Sequence, residues 1–132
     1  MKMDDLVKMA REAQSQAYAP YSQFRVGAAL LTNDDRVFTG ANIENASYGM
    51  SICAERTAVF KAVLAGHKKF QAIAIAGSGT GYIYPCGACL QVLTEFSSDM
   101  KIITVNENDE YREYYLGDLL PQSFKFAQAL IE

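Results

Sequence analysis

The sequence predicts an α/β fold: one mixed five-stranded sheet covered by helices, with the last two strands antiparallel. Three observations carry the prediction. Helical and strand-like runs interleave in the order α-β-β-α-β-α-β-β, with no repeat, linker or low-complexity segment between them. Only the four residues ENDE separate the last two strand-like runs, too few for the dozen or more that a parallel crossover needs. The 132 residues have the length of one ordinary domain, so residues 1–132 are expected to share a single core.

The first helix is expected from Asp4 to about Tyr18, where Leu6, Met9, Ala10, Ala13 and Ala17 recur at helical spacing behind an acidic start. Pro20 stops it, because a proline disfavours helical geometry at the residue before it. FRVGAALLT and RVFTGANI flank the polar turn NDD, and two β-prone runs joined in this way read as a hairpin. CAERTAVFKAVLAG is the second helix, with Gly66 at its C-terminal cap. FQAIAIAG is a buried strand. The glycine-rich GSGTG after it fits neither the dinucleotide fingerprint nor the phosphate-binding loop and reads as a flexible link. Pro85 is expected as the first residue of the third helix, PCGACLQVLTEF, where a missing N–H costs nothing. KIITVN and YREYYL complete the strands, and the charge-rich NENDEYRE at their junction reads as a solvated turn.

Composition narrows the function classes. Half of the residues are apolar, 11% are aromatic and 20% are charged, which describes a folded chain and not a disordered one. Twelve basic against 15 acidic residues give a net charge of -3, and the sequence pI is about 5.1. The chain therefore lacks the positive field that gathers nucleic-acid phosphates, and a small neutral substrate suits it better. No segment approaches the length of a membrane span, and MKMDDLVKMA has two acids where a signal peptide would begin its apolar run. A cytoplasmic protein with no membrane partner is the expectation. Its three cysteines, Cys53, Cys86 and Cys89, form an odd set that suits a reducing compartment, where thiols bind metal or do chemistry.

Two of the expected helices begin with cysteine, and a thiol at a helix N-terminus is favoured as thiolate. Cys86 and Cys89 lie three apart, on one face of a first turn. With Cys53 they supply three sulfurs that can converge on one ion. Zinc held by three protein ligands keeps its fourth position for water, the catalytic arrangement, whereas a structural site is usually closed by four. Taken alone, the CxxC pair also reads as a redox couple or half of a structural zinc site. The only histidine, His67, reads as an exposed imidazole just past a helix end.

Glu55, two residues after Cys53, is not needed as a ligand if three cysteines serve, so its carboxylate is free to move protons as a general acid/base. Residues two apart on a regular helix point roughly 200° away from each other, so Cys53 has to lie at the helix start, outside regular geometry. Arg56 lies nearer the face of Cys53. Three thiolates and one zinc ion sum to minus one, and a guanidinium bonded to the sulfurs would draw charge back off them.

CAE, with PCGAC placing Cys86 33 residues after Cys53, resembles the signature of the zinc-dependent deaminases, H-x-E with P-C-x-x-C, with cysteine here in place of the histidine. Together with YAPYSQFRVGAAL, TGANIENASYG and DLLPQSF, the chain resembles the small homotetrameric cytidine deaminases over nearly its whole length. The resemblance implies a three-layer α-β-α cytidine deaminase-like fold, with one zinc per chain on Cys53, Cys86 and Cys89, Glu55 as proton shuttle and Arg56 as compensating charge. It implies that Phe24, Asn42 and Glu44 hold a nucleoside, the last two through ribose hydroxyls, and that the backbone near Ala54 meets the pyrimidine. It also implies that Ala46, Tyr48 and Phe124 reach into a neighbouring subunit's pocket. Leu90 departs from the pattern, because many relatives carry arginine after the last cysteine.

Outside the resemblance, Phe24 reads as a core aromatic, and Asn42 and Glu44 as polar residues at a strand end. The tail residues Phe124, Phe126, Leu130 and Ile131 would be costly to expose on a monomer and point to a homo-oligomer. Relatives that edit tRNA or single-stranded DNA resemble one another in placing a helix between the last two strands, and they need a basic surface. The ENDE junction and the acidic balance point away from both features. The expected activity is hydrolytic deamination of cytidine and deoxycytidine to the uridine forms with release of ammonia, as in pyrimidine salvage. A nucleic-acid or other nucleobase deaminase of the same superfamily and a non-catalytic zinc module are the other two readings.

Overall fold

The computed structural model describes residues 1–97 and 99–125. Strand β1 (Val26–Thr32) is buried along its whole length, because it pairs antiparallel with β2 (Val37–Ala41) on one side and with β3 (Phe70–Gly77) on the other. Strand β4 (Lys101–Val105) joins β3 in parallel, and β5 (Tyr111–Tyr115) pairs antiparallel with β4 from Val105↔Tyr111 to Lys101↔Tyr115. The order is β2-β1-β3-β4-β5, the mixed five-stranded sheet with the antiparallel last pair that the sequence predicts.

Alternation along β3 divides the two faces of the sheet. Ala72, Ala74 and Ala76 turn toward α1 (Met3–Ala13), whose Leu6, Val7 and Ala10 pack with Leu31, Ile103 and Val105. Ile73 and Ile75 turn the other way, joined across the register shift between Leu31 and Thr32 by Phe70, toward α2 (Ala54–Leu64) and α3 (Gly87–Phe96). The result is three layers, α-β-α, with the short helix α4 (Leu116–Leu119) after β5. Leu6, Ile73, Ile75, Leu93, Ile102 and Ile103 are all fully buried, each contributing about 1.5–3 kcal/mol relative to exposure.

Antiparallel pairing of β1 with both neighbours makes β2, β3 and β4 run in one direction. Both crossover helices, α2 between β2 and β3 and α3 between β3 and β4, therefore start at the same end of the sheet, beyond Ala41 and Gly77.

Several boundaries differ from the sequence expectation. Helix α1 stops at Ala13 and tightens into a 3-10 turn over Gln14–Gln16, short of Tyr18. Tyr18 is drawn into a bridge with Ile43: its N–H donates to the Asn42 carbonyl at 2.9 Å and its carbonyl accepts from Glu44 N–H at 2.8 Å, which a helix cannot supply. Pro85 lies outside α3, one residue before the extended Cys86 whose carbonyl accepts the Leu90 N–H at 3.0 Å and so starts the helix. Gly66 caps α2 as expected, with φ +92°, the Gly66 N–H bonded to Val63 O and the His67 N–H to Ala62 O. His67 is not an exposed imidazole: its side chain is 19% exposed, lies 5.3 Å from the Phe38 ring and sets Nδ1 3.2 Å from Asp34 Oδ1. The turn between β4 and β5 is more than solvated charge, because buried Asn106 accepts the N–H groups of Asn108 and Glu110 on its side-chain oxygen, each at 3.0 Å. Arg11 reaches the same turn at the Asn106 carbonyl and the Asp109 carboxylate.

Helix α2 is seated on β2 through Gly40, where a Cβ would stand 2.5 Å from both the Ala54 carbonyl oxygen and the Ala58 nitrogen. Gly40→Ala should therefore lift the first turns of α2 and cost about 3 kcal/mol, the upper range for overpacking, in urea unfolding. Gly49→Ala, where a Cβ meets nothing within 4 Å, is the control and should stay within about 0.5 kcal/mol of wild type. Equal midpoints for the two variants would refute the seat.

Candidate active site

The residue before each crossover helix is a cysteine in extended backbone: Cys53 at φ -78°, ψ 156° and Cys86 at φ -73°, ψ 167°. Cys53 thus lies outside regular helix geometry, which lets its sulfur and the Glu55 side chain face the same space two residues apart. Cys89 sits buried in the first turn of α3. The three sulfurs lie within 4.8 Å of one another, and Cys86 Sγ is 3.4 Å from Cys89 Sγ. Tetrahedral zinc with Zn–S bonds of about 2.3 Å sets its sulfurs about 3.8 Å apart, so the thiols are already gathered at the spacing that this ion needs. Three soft thiolate donors are also a set that selects zinc over hard cations.

Charge around the sulfurs is balanced locally. Arg56 Nη2 donates to Cys53 Sγ at 3.3 Å, as its position three residues on requires. The Cys53 thiol is pulled down to about 5, first by the hydrogen bond it receives from Cys89 and then, against its burial, by the Arg56 guanidinium. Cys89 is pushed up, as the donor to Cys53 and by burial. Arg56 is held more firmly protonated, chiefly by its bond to the Cys53 sulfur. Glu55 is 5% exposed, and that burial pushes its carboxyl up to about 7, opposed by its own backbone N–H and helped by the negative charge on Cys53. A carboxyl balanced near neutrality can both accept and deliver a proton.

A cleft of about 450 Å³ opens onto these groups. Its lining brings Phe24, Asn42, Glu44, Tyr48 and Ala54 together with Cys53, Glu55, Arg56 and Cys86. Cys89 lies beneath it, against Cys86. Ala46 and Phe124 are not part of the lining of this chain's cleft: both are exposed, and the Phe124 carbonyl accepts from Gln91 Nε2 at 2.9 Å. Phe126, Leu130 and Ile131 lie outside the described residues. Asn42 uses both ends of its amide on the lead into β1, donating to the Phe24 carbonyl and accepting the Val26 N–H, each at 2.8 Å. The Glu44 carboxylate accepts the N–H groups of Tyr21 and Ser22 and the Ser22 hydroxyl, which hold it below the usual carboxylate range. Leu90 is buried in the core against α2, so its position serves apolar packing here.

Sequence reasoning missed Ser22, Ser51, Ile83 and Tyr84 in the lining. No local signal marks them. Ser22 matters only once the fold brings Glu44 to it across the chain, and Tyr84 only once the loop after β3 turns back over the cleft.

Fold and site together define the class: a zinc-dependent deaminase, with three thiols, a buried carboxyl and a balancing guanidinium at the starts of two crossover helices. A family model for the cytidine and deoxycytidylate deaminase zinc-binding region matches residues 1–106. The chain is 44% identical over 125 residues to the cytidine deaminase of Sporosarcina psychrophila, covering 94% of this chain and 92% of that protein. It is 48% identical over 120 residues to that of Halalkalibacterium halodurans, covering 90% and 91%. The 1.6 Å crystal structure of cytidine deaminase from Burkholderia pseudomallei superposes with a TM-score of 0.90 at 49% identity, over 94% of this chain and all of that one. The chain belongs to the cytidine and deoxycytidylate deaminase family, and its Cys53, Cys86 and Cys89 fit one zinc per chain.

Metal analysis of purified variants separates ligand from non-ligand. Glu55→Gln should keep about one zinc per chain, as a carboxyl outside a three-thiolate set requires. Cys86→Ala should lose the metal and much of its soluble yield, because binding and folding are coupled. Zinc lost from Glu55→Gln, or retained in full by Cys86→Ala, would break this assignment.

Proposed function

We propose that the chain acts over residues 1–132 as one catalytic domain that hydrolyses cytidine and deoxycytidine to uridine and deoxyuridine, releasing ammonia. The observation that carries the reading is the buried Glu55 carboxyl beside three converging thiols, at a cleft within the usual size range for small-molecule sites. Kinship with proteins named cytidine deaminase at 44% and 48% identity supports it. The acidic balance and the four-residue junction before β5 favour a free nucleoside over a nucleic acid.

Cys53, Cys86 and Cys89 would hold zinc, which when bound lowers the pKa of water to about 7 and so supplies a nucleophile at neutral pH. Arg56 withdraws charge from the Cys53 sulfur through its hydrogen bond. Glu55 accepts a proton from the attacking water and passes it to the ring nitrogen N3, while the water oxygen adds to C4. A second proton carried by Glu55 to the exocyclic amine lets ammonia leave, and the C4 carbonyl of the uridine product remains. In this reading Phe24 packs on the nucleoside, Asn42 and Glu44 meet the ribose hydroxyls, and the backbone at Ala54 meets the pyrimidine. The acceptor capacity left on the Glu44 carboxylate suits it to a hydroxyl donor.

The same reading makes the protein a cytoplasmic homotetramer of pyrimidine salvage, with Ala46, Tyr48 and Phe124 of each chain completing a neighbour's pocket. Exposure of Tyr48, Leu64 and Phe124 at 75%, 88% and 67% supports burial in an assembly, and three free thiols suit a reducing compartment.

Incubation with cytidine should give uridine and ammonia in equal amounts, and Glu55→Gln should lose at least about 10²-fold in turnover, the scale of general acid/base catalysis. Turnover confined to tRNA or single-stranded DNA would replace this reading with that of a nucleic-acid deaminase. Full activity in Glu55→Gln would remove the carboxyl from the mechanism. For the assembly, a Glu55→Gln chain mixed with a Phe124→Ala chain should regain activity once subunit exchange is shown by tagged co-purification. A mixture no more active than its components, or an active monomer by light scattering, would rule out a shared site.

A further inference from the structure

The segment 77–81, a flexible link by its sequence, is pinned by hydrogen bonds at Gly77, Ser78 and Gly81, on both sides of Gly79. Arg11 Nη1 donates to the Gly77 carbonyl at 2.7 Å. Ser78 N–H donates to the Arg25 carbonyl and its hydroxyl accepts the Arg25 N–H, both at 2.9 Å. Gly81 N–H donates to the Glu107 carboxylate at 2.8 Å. These bonds make a fixed platform, and the ring of Phe24 lies against it. A Cβ at Gly77 would stand 2.8 Å from Phe24 Cζ, and a Cβ at Gly79 would stand 3.0 Å from Phe24 Cε1. Ordinary carbon contacts are about 3.5–4.0 Å, so the ring occupies space that any other residue would fill.

The backbone at residue 24 is held from the other side. Asn42 Nδ2 donates to the Phe24 carbonyl at 2.8 Å, and the Phe24 N–H donates to Ser22 Oγ at 3.0 Å. With its backbone fixed and its ring resting on two glycines, Phe24 has one depth at which to bound the cleft that holds Glu55. Gly81 serves a different need: at φ +83° with nothing within 4 Å of a Cβ, it relieves the backbone and does not touch the ring.

We infer that Gly77 and Gly79 are positioning residues that set substrate fit: their missing side chains fix how far the Phe24 ring stands back, and so the width of the slot open to a pyrimidine nucleoside. This rests on the deaminase reading above, in which Phe24 contacts the nucleoside. A side chain at position 79 drives the ring toward the cleft and narrows the slot, while Glu55 and the thiols stay in place. The loss therefore falls on substrate binding and not on the chemical step.

A double-mutant cycle between positions 79 and 24, read as KM and kcat for cytidine on zinc-loaded protein, tests the inference. Gly79→Ala should raise KM about tenfold with kcat within about twofold of wild type, the signature of lost uniform binding. In a Phe24→Leu background, with the ring gone, the same change should move KM by less than about twofold. Equal rises in both backgrounds, or none in the first, overturn the seat. If Gly79→Ala fails to fold, the double variant with Phe24→Leu should recover soluble protein, and failure to recover it also overturns the seat. Aromatic NMR of ring-labelled phenylalanine reads the contact without turnover: the resonances absent from Phe24→Leu should shift in Gly79→Ala, and unmoved resonances count against the seat. Shifted resonances in a protein that does not deaminate cytidine would keep the seat and remove the deaminase reading, while normal deamination with an unmoved ring would do the reverse.

Discussion

Holding three sulfurs within 4.8 Å of one another is the constraint on which the rest of this structure depends. Two unit charges at about 4 Å repel by about 4 kcal/mol at the effective dielectric of a protein surface, so thiolates gathered this closely need positive charge around them. The chain supplies two helix N-termini and the Arg56 guanidinium, and a zinc ion held by the three sulfurs would supply the remainder. Each source imposes a condition on the fold. Two helices can point their N-termini at one spot only if they start at the same end of the sheet, which the common direction of β2, β3 and β4 ensures. Arg56 can reach the Cys53 sulfur only if Cys53 stands just outside α2, and Gly40 lets the start of that helix lie close against β2.

The polar groups proposed to meet the nucleoside follow a second rule: they are fixed by hydrogen bonds within the chain. Asn42 bridges two backbone positions of the β1 lead, and Glu44 is gripped by Tyr21 and Ser22. Such groups lose little freedom on binding, so more of each contact is retained as affinity. The carboxyl that is proposed to move protons is treated in the opposite way. Burial leaves Glu55 near the balance between its charged and neutral forms, while hydrogen bonds hold Glu44 ionised.

Much of this was legible in the sequence because it is local. β-prone runs and the turns between them located all five strands, the ENDE junction dictated the antiparallel last pair, and the Cys53–Glu55–Arg56 spacing implied the position of Cys53 outside its helix. The resemblance supplied Phe24, Asn42, Glu44, Tyr48 and Ala54 of the cleft lining, which no local pattern contains. What stayed hidden depends on distant partners. The early stop of α1 follows from the pairing of Tyr18 with Asn42 and Glu44, and the partial cover of His67 follows from Phe38, with Asp34 as its polar partner. GSGTG reads as slack because a glycine's use lies in what approaches it, here Phe24 from far along the chain.

The hairpin turn at Asn33–Arg36, the cap at Gly66 and the start of β3 all lie at the end of the sheet away from the thiols, where Thr32 pairs with Phe70. The Asp34–His67 contact and the Phe38 ring tie that end together. Mechanical integrity and chemistry therefore occupy opposite poles of one sheet, with the fully buried β1 between them. A change of loop length in the hairpin turn at 33–36 leaves the thiol end of the sheet untouched, and grafted epitopes, fusion joints or inserted segments belong in that turn.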